Sequence, residues 1–103
     1  MHGIQKCMKR LPLPDEPQNL TATAISPTSI KLTWDAVSVD GGIKEYRIYS
    51  GLTPVLIAKT TDTSFIVKGL TPDTIHYFDV SAVSNYGGIE STHATTDAMT
   101  PAT

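Results

Sequence analysis

The side chains from which chemistry could be assembled are few: three histidines, one cysteine and ten acidic residues among 103 positions. His2, His76 and His93 stand far apart along the chain, and no second histidine or carboxylate is spaced to join His76 as a metal ligand. The paired-histidine helix motif of zinc proteases is absent, and so is the serine elbow of hydrolases. Gly41-Gly42 and Gly87-Gly88 lack the spacing of a phosphate-cradling loop and the helix that must follow one. Cys7 would be reactive only with a lowered pKa, and its tail-like surroundings supply no cause for one. The acidic pairs read as solvated surface charge. We therefore expect no catalytic residue, cofactor or metal, which leaves surface groups as candidates for contact with a partner: Arg47, Tyr49, Tyr77 and Tyr86.

Composition narrows the classes further. Eight basic against ten acidic residues give a net charge of −2, so there is no electrostatic reason to expect nucleic acid or an anionic membrane as a partner. The length suits one domain with one core. A single cysteine excludes an internal disulfide, so packing alone must hold the fold, and the redox compartment stays open. No apolar run approaches the roughly 20 residues that span a bilayer. Met1 to Arg10 carries charge with no hydrophobic stretch behind it, unlike an ordinary secretory signal. A module of a larger secreted protein, a small protein exported by another route and a component of a virus particle all remain open.

The elements that must position the surface groups are legible from periodicity. Residues 1–13 read as a tail or linker, with Pro12, Pro14 and Pro17 favouring an extended connector. A Pro-rich ligand motif, or a short docking helix with Ile4, Cys7, Met8 and Leu11 on one face, are the alternatives there. From Gln18 onward, side chains alternate with the period of two expected of pleated strands. Leu20, Ala22 and Ala24 form one apolar face; Ile30, Leu32 and Trp34 form a second, with Trp34 at the centre of the core. Asp40-Gly41-Gly42 is a turn, after which Tyr46 and Ile48 point one way and Glu45, Arg47 and Tyr49 the other. Val55 to Lys59 and Thr63 to Lys68 make two short strands, the latter with Phe65 and Val67 inward. Leu70, His76, Phe78, Val80 and Ala82 keep one phase around the Pro72-Asp73 turn, with Tyr77 and Asp79 on the other face. Ile89 to Met99 supplies a last strand, and Thr100 to Thr103 begins another linker. Seven alternating strands and no helical period predict an all-β, antiparallel two-sheet sandwich, with a closed barrel as the other architecture.

Taken in order, these residues resemble a fibronectin type III domain over roughly Pro14 to Thr100. The likeness is carried by Pro17, the strand Ser29-Ile30-Lys31-Leu32-Thr33-Trp34, the strand Gly42-Ile43-Lys44-Glu45-Tyr46-Arg47-Ile48-Tyr49, the run Thr63-Ser64-Phe65-Ile66-Val67 and the turn Gly69-Leu70-Thr71-Pro72-Asp73-Thr74. Asp35-Ala36 and Gly41-Gly42-Ile43 are similar to the bacterial and phage branch, where the glycan acceptor pattern Asn19-Leu20-Thr21 would be idle. The resemblance implies a seven-stranded immunoglobulin-like sandwich with Trp34, Tyr46, Ile48, Phe65, Leu70, His76, Phe78 and Val80 in the interior. It also implies a departure: the family places a corner tyrosine where this chain has His76, so an imidazole nitrogen is expected to close the corner, with Tyr77 through a bulge as the alternative. A neutral, buried His76 would cost stability in mild acid. Neighbouring strands would set Tyr49 opposite Tyr77 and Arg47 opposite Asp79. By the same resemblance the chain is a non-catalytic spacer or interaction module of a secreted, cell-surface or virion protein, with other protein domains as partners. The alternative is a polysaccharide- or cell-wall-binding domain using Tyr49, Tyr77 and Tyr86. A matrix-adhesion role is disfavoured by the lack of an Arg-Gly-Asp tripeptide around Tyr86.

Overall fold

The structure, a computed structural model, describes residues 13–103. The expectations for the tail, including Cys7, His2 and the helical face from Ile4 to Leu11, lie outside the described residues. Seven strands follow: β1 (Thr21–Ser26), β2 (Ser29–Thr33), β3 (Ile43–Ser50), β4 (Val55–Thr60), β5 (Ser64–Val67), β6 (Ile75–Ser84) and β7 (Ala94–Met99). They form two antiparallel sheets, ordered β1-β2-β5 and β4-β3-β6-β7, with no helix among the described residues. This is the two-sheet sandwich and not the barrel.

The alternating pattern becomes the core because inward side chains from both sheets meet between them. Ile30, Leu32 and Trp34 from the first sheet's side face Tyr46, Ile48, Phe78, Val80 and Ala82 from the second, and all are buried. Trp34 meets Tyr46 edge to face, with centroids 5.5 Å apart and planes inclined at 62°, the geometry that aromatic quadrupoles favour. The Tyr46 hydroxyl leaves the apolar layer and accepts the Val37 N–H at 3.0 Å, which ties the β2–β3 connection to the core. Phe65 and Leu70 are only partly buried and pack against this cluster from its edge.

Contacts in the structure bear on three boundaries. Pro14 and Pro17 are buried, so the proline-rich approach belongs to the domain from Pro14 onward. The last strand starts at Ala94, because Gly87 and Gly88, both at positive φ, turn the chain back and leave only an isolated Val83–Glu90 bridge before it. Thr100 is no linker residue: it is fully buried, and its hydroxyl is bonded into the corner before β6.

That corner is closed as the His76 departure predicts. His76 Nε2 donates to the Thr71 carbonyl at 2.9 Å, so imidazole replaces the family's phenol without a bulge. The Thr100 hydroxyl donates to the same carbonyl at 2.7 Å, using its second lone pair. Thr100 N–H bonds the Thr74 carbonyl at 3.0 Å, and Asp73, at φ 54°, donates to the Pro101 carbonyl at 3.1 Å. The ring of His76 is half-buried and is not part of the dry cluster. The chain comes in beside the β6–β7 loop, where the Thr92 hydroxyl lies 3.5 Å from Glu16, and goes out through the corner at the opposite end of the sheets. His76→Ala is expected to lower unfolding free energy by about 1 kcal/mol, the net worth of one hydrogen bond, while His76→Tyr keeps most of it. Urea denaturation of the two variants checks this; equal loss in both would contradict the corner assignment.

Candidate functional site

The outer face of the four-stranded sheet carries the polar side chains that alternate with the core. Glu45, Arg47 and Tyr49 come from β3, Lys59 from β4, and Tyr77, Asp79 and Ser81 from β6. The pairing register places Tyr49 opposite Asp79 and Arg47 opposite Ser81. The expected pairs, Tyr49 with Tyr77 and Arg47 with Asp79, are thus off by two residues, which preserves the face and changes the neighbours. In this register β3 ends at Ser50, opposite Phe78, and it is Gly51, at φ 99°, that bonds the Tyr77 carbonyl.

The centre of this face is Glu90, a residue the strand pattern did not single out. Its carboxylate accepts the Tyr49 and Ser81 hydroxyls, both at 2.5 Å, and lies 3.4 Å from Arg47 Nη1 and 3.3 Å from His93 Nε2. His93 bridges onward, with Nδ1 2.9 Å from Asp79, and stacks on the Tyr49 ring at 4.4 Å and 23°. Arg47 Nε donates to Glu45 at 2.8 Å, and Lys59 stands 3.8 Å from the same carboxylate. The network fastens the segment between β6 and β7 onto the sheet. Only the His93–Glu90 spacing of three residues hinted at it; which way the segment folds depends on the two glycines before it.

Its electrostatics follow from those contacts. Partial burial opposes ionisation of Glu90, but the hydrogen bonds from Ser81 and Tyr49 and the charges of Arg47 and His93 outweigh it and hold the carboxyl below its ordinary value. The Arg47 hydrogen bond does the same for Glu45, against a smaller burial penalty and with help from Lys59. Burial, reinforced by Glu90, pushes the Tyr49 phenol up, so it stays a donor. Among the described residues no three histidine, cysteine or acidic side chains are placed to hold a metal ion, and no helix is long and apolar enough to cross a membrane.

Tyr49 and Tyr77 share the outer face as diagonal neighbours across β3 and β6, and Tyr86 lies apart from both. Tyr49 is covered on one ring face by His93 and spends its hydroxyl on Glu90. Tyr77 lies near the start of β6, half-buried beside Gly51. Tyr86 is 59% exposed in the turn past the far end of that strand, whose run from Tyr77 to Ser84 alone spans about 23 Å at roughly 3.3 Å per residue. There it packs against Gly41, where an added Cβ would come within 3.2 Å of the Tyr86 Cβ.

A two-sheet antiparallel sandwich with a tryptophan-centred core and a closed corner before β6 defines an immunoglobulin-like module. Residues 15–97 match the fibronectin type III domain, and the chain belongs to that family. It is 44% identical over 78 residues to the tail tube protein gp17.1* of Bacillus phage SPP1, covering 76% of this chain and 28% of that protein. Against chitinase Chi52 of Paenibacillus xylanexedens it is 35% identical over 78 residues, covering 76% of this chain and 14% of the chitinase. The crystal structure of FN3tt superposes with a TM-score of 0.79 at 26% identity, covering 92% of this chain and all of that one. The relatives are thus bacterial and phage proteins of which this chain spans little more than a quarter at most.

Because both carboxyls lie below the ordinary value of 4.5, folding should gain stability above it and lose that gain as pH falls through the lower folded values. Glu90→Gln is expected to flatten this acid limb and to cost about 1–3 kcal/mol at neutral pH, by weakening charge-assisted hydrogen bonds. Urea midpoints between about pH 3 and 7 test both; a variant with the unaltered protein's profile would refute the hub.

Proposed function

We propose that the chain is a non-catalytic module that spaces and joins other domains of a secreted or virion protein. One observation carries this reading: the same module is a minor part of proteins as unlike as a phage tail tube protein and a chitinase. A shared part among unlike wholes supports a role in arrangement, not in a reaction. Two structural features agree with it. Residues 14–18 and Thr100–Pro101 lie at opposite ends of the sheets, so the domain holds whatever flanks it apart. The centre of the polar face is satisfied internally, with Glu45, Arg47, Asp79, Glu90 and His93 directed at one another. The glycan-binding alternative through Tyr49, Tyr77 and Tyr86 is less well supported, since Tyr49 is already stacked on His93 and Tyr86 lies past the far end of β6.

The spacer reading predicts that the purified chain stays in solution when mixed with insoluble chitin, cellulose or peptidoglycan and releases no reducing sugar. In a longer protein that carries it, replacement by an unrelated domain of equal end-to-end length should preserve activity or assembly. Retention on a glycan that is lost in Tyr77→Ala, or loss of function on that replacement, would overturn it.

A further inference from the structure

A depression of about 370 Å³ opens on the outer sheet face at the corner end of the domain. Its origin is Gly51. The Gly51 N–H bonds the Tyr77 carbonyl at 2.9 Å, so β3 still pairs with β6 there, but beside Tyr77 it presents a hydrogen where every other pair has a side chain. The chain then turns at φ 99° into Leu52 and Pro54, which form an apolar wall, with Leu52 79% exposed. Tyr77, Thr95 and Asp97 line the opposite part, and Asp97 stands directly across the strands from Tyr77.

Its charge is one-sided. No lysine or arginine lines the depression. Asp79, at its margin, is engaged by His93, whereas Asp97 is exposed and has no hydrogen-bond or ion-pair partner among the described residues. From Pro54 the apolar surface continues along β4, the outermost strand of its sheet, where Val55, Leu56 and Ile57 are 62%, 42% and 43% exposed. An uncovered apolar edge strand is the kind of surface a protein segment covers.

We propose that this depression seats a lysine or arginine side chain from an extended segment of a partner protein. The proposal rests on the reading of the chain as an interaction module. The alkyl stem lies along Leu52 and Pro54, and the cationic head meets the Asp97 carboxylate and the Tyr77 ring. Apolar residues flanking the cation in the partner cover Val55 to Ile57. A neutral sugar would stack on Tyr77 but leave Asp97 uncompensated and the β4 edge bare, so the observations favour protein.

The test is a titration of the whole isotope-labelled chain, followed by amide NMR, with three probes: acetyl-Gly-Arg-Gly-amide, its neutral citrulline isostere, and the trisaccharide of N-acetylglucosamine. The arginine peptide is expected to give weak, saturable shifts at Gly51, Leu52, Tyr77 and Asp97, roughly tenfold tighter than the citrulline peptide. Asp97→Asn should abolish that tenfold preference while leaving the rest of the spectrum in place, and Asp15→Asn should not change it. Equal response to arginine and citrulline, no saturable response, or saturation by the trisaccharide alone overturns the proposal. An unresponsive depression leaves the spacer reading standing, because that reading fails only on glycan retention or on the domain replacement.

Discussion

Everything in this domain depends on keeping water out of the layer between the sheets, where Trp34 and Tyr46 meet edge to face above Ile48, Phe78 and Val80. No internal disulfide is possible with one cysteine, so the fold is held by packing and hydrogen bonds. Each fully buried Phe, Ile, Leu or Val contributes about 1.5–3 kcal/mol relative to exposure, so the several side chains gathered here outweigh any single hydrogen bond on the surface. Tyr46 links the two kinds of interaction, its ring in the layer and its hydroxyl holding the β2–β3 connection at Val37.

Given that layer, the two ends of β6 are fixed by different means. At its start, the Thr71 carbonyl takes hydrogens from His76 and Thr100, which draws the turn and the end of the chain together. Past its end, Glu90 gathers Tyr49, Ser81, Arg47 and His93 and lays the segment before β7 on the sheet. The second device rests on a carboxylate held below its ordinary value, so acid should loosen the Glu90 side. Between these two ends, a depression opens in the outer face at Gly51.

The sequence made the sandwich legible because its signal is local: a period of two, punctuated by glycine and proline, does not depend on what packs where. It put Trp34, Tyr46, Ile48, Phe78 and Val80 inside for that reason. Which residues face one another across strands is a different kind of information. Tyr49 and Tyr77 were correctly given the same face, but their register, in which β3 stops at Ser50, was not legible. Glu90 and Thr100 were illegible, since each acts through residues that only the folded corner or loop brings near. His76 was legible because the family pattern leaves one polar side chain at that position with one carbonyl to reach.

Amide hydrogen exchange on the native chain measures the dry layer most directly. The account predicts that the amides of Tyr46, Ile48, Phe78 and Val80 exchange only through global unfolding, slower than those of the outer strands β1 and β4. Exchange of those four amides as fast as that of the exposed β3–β4 turn would contradict it.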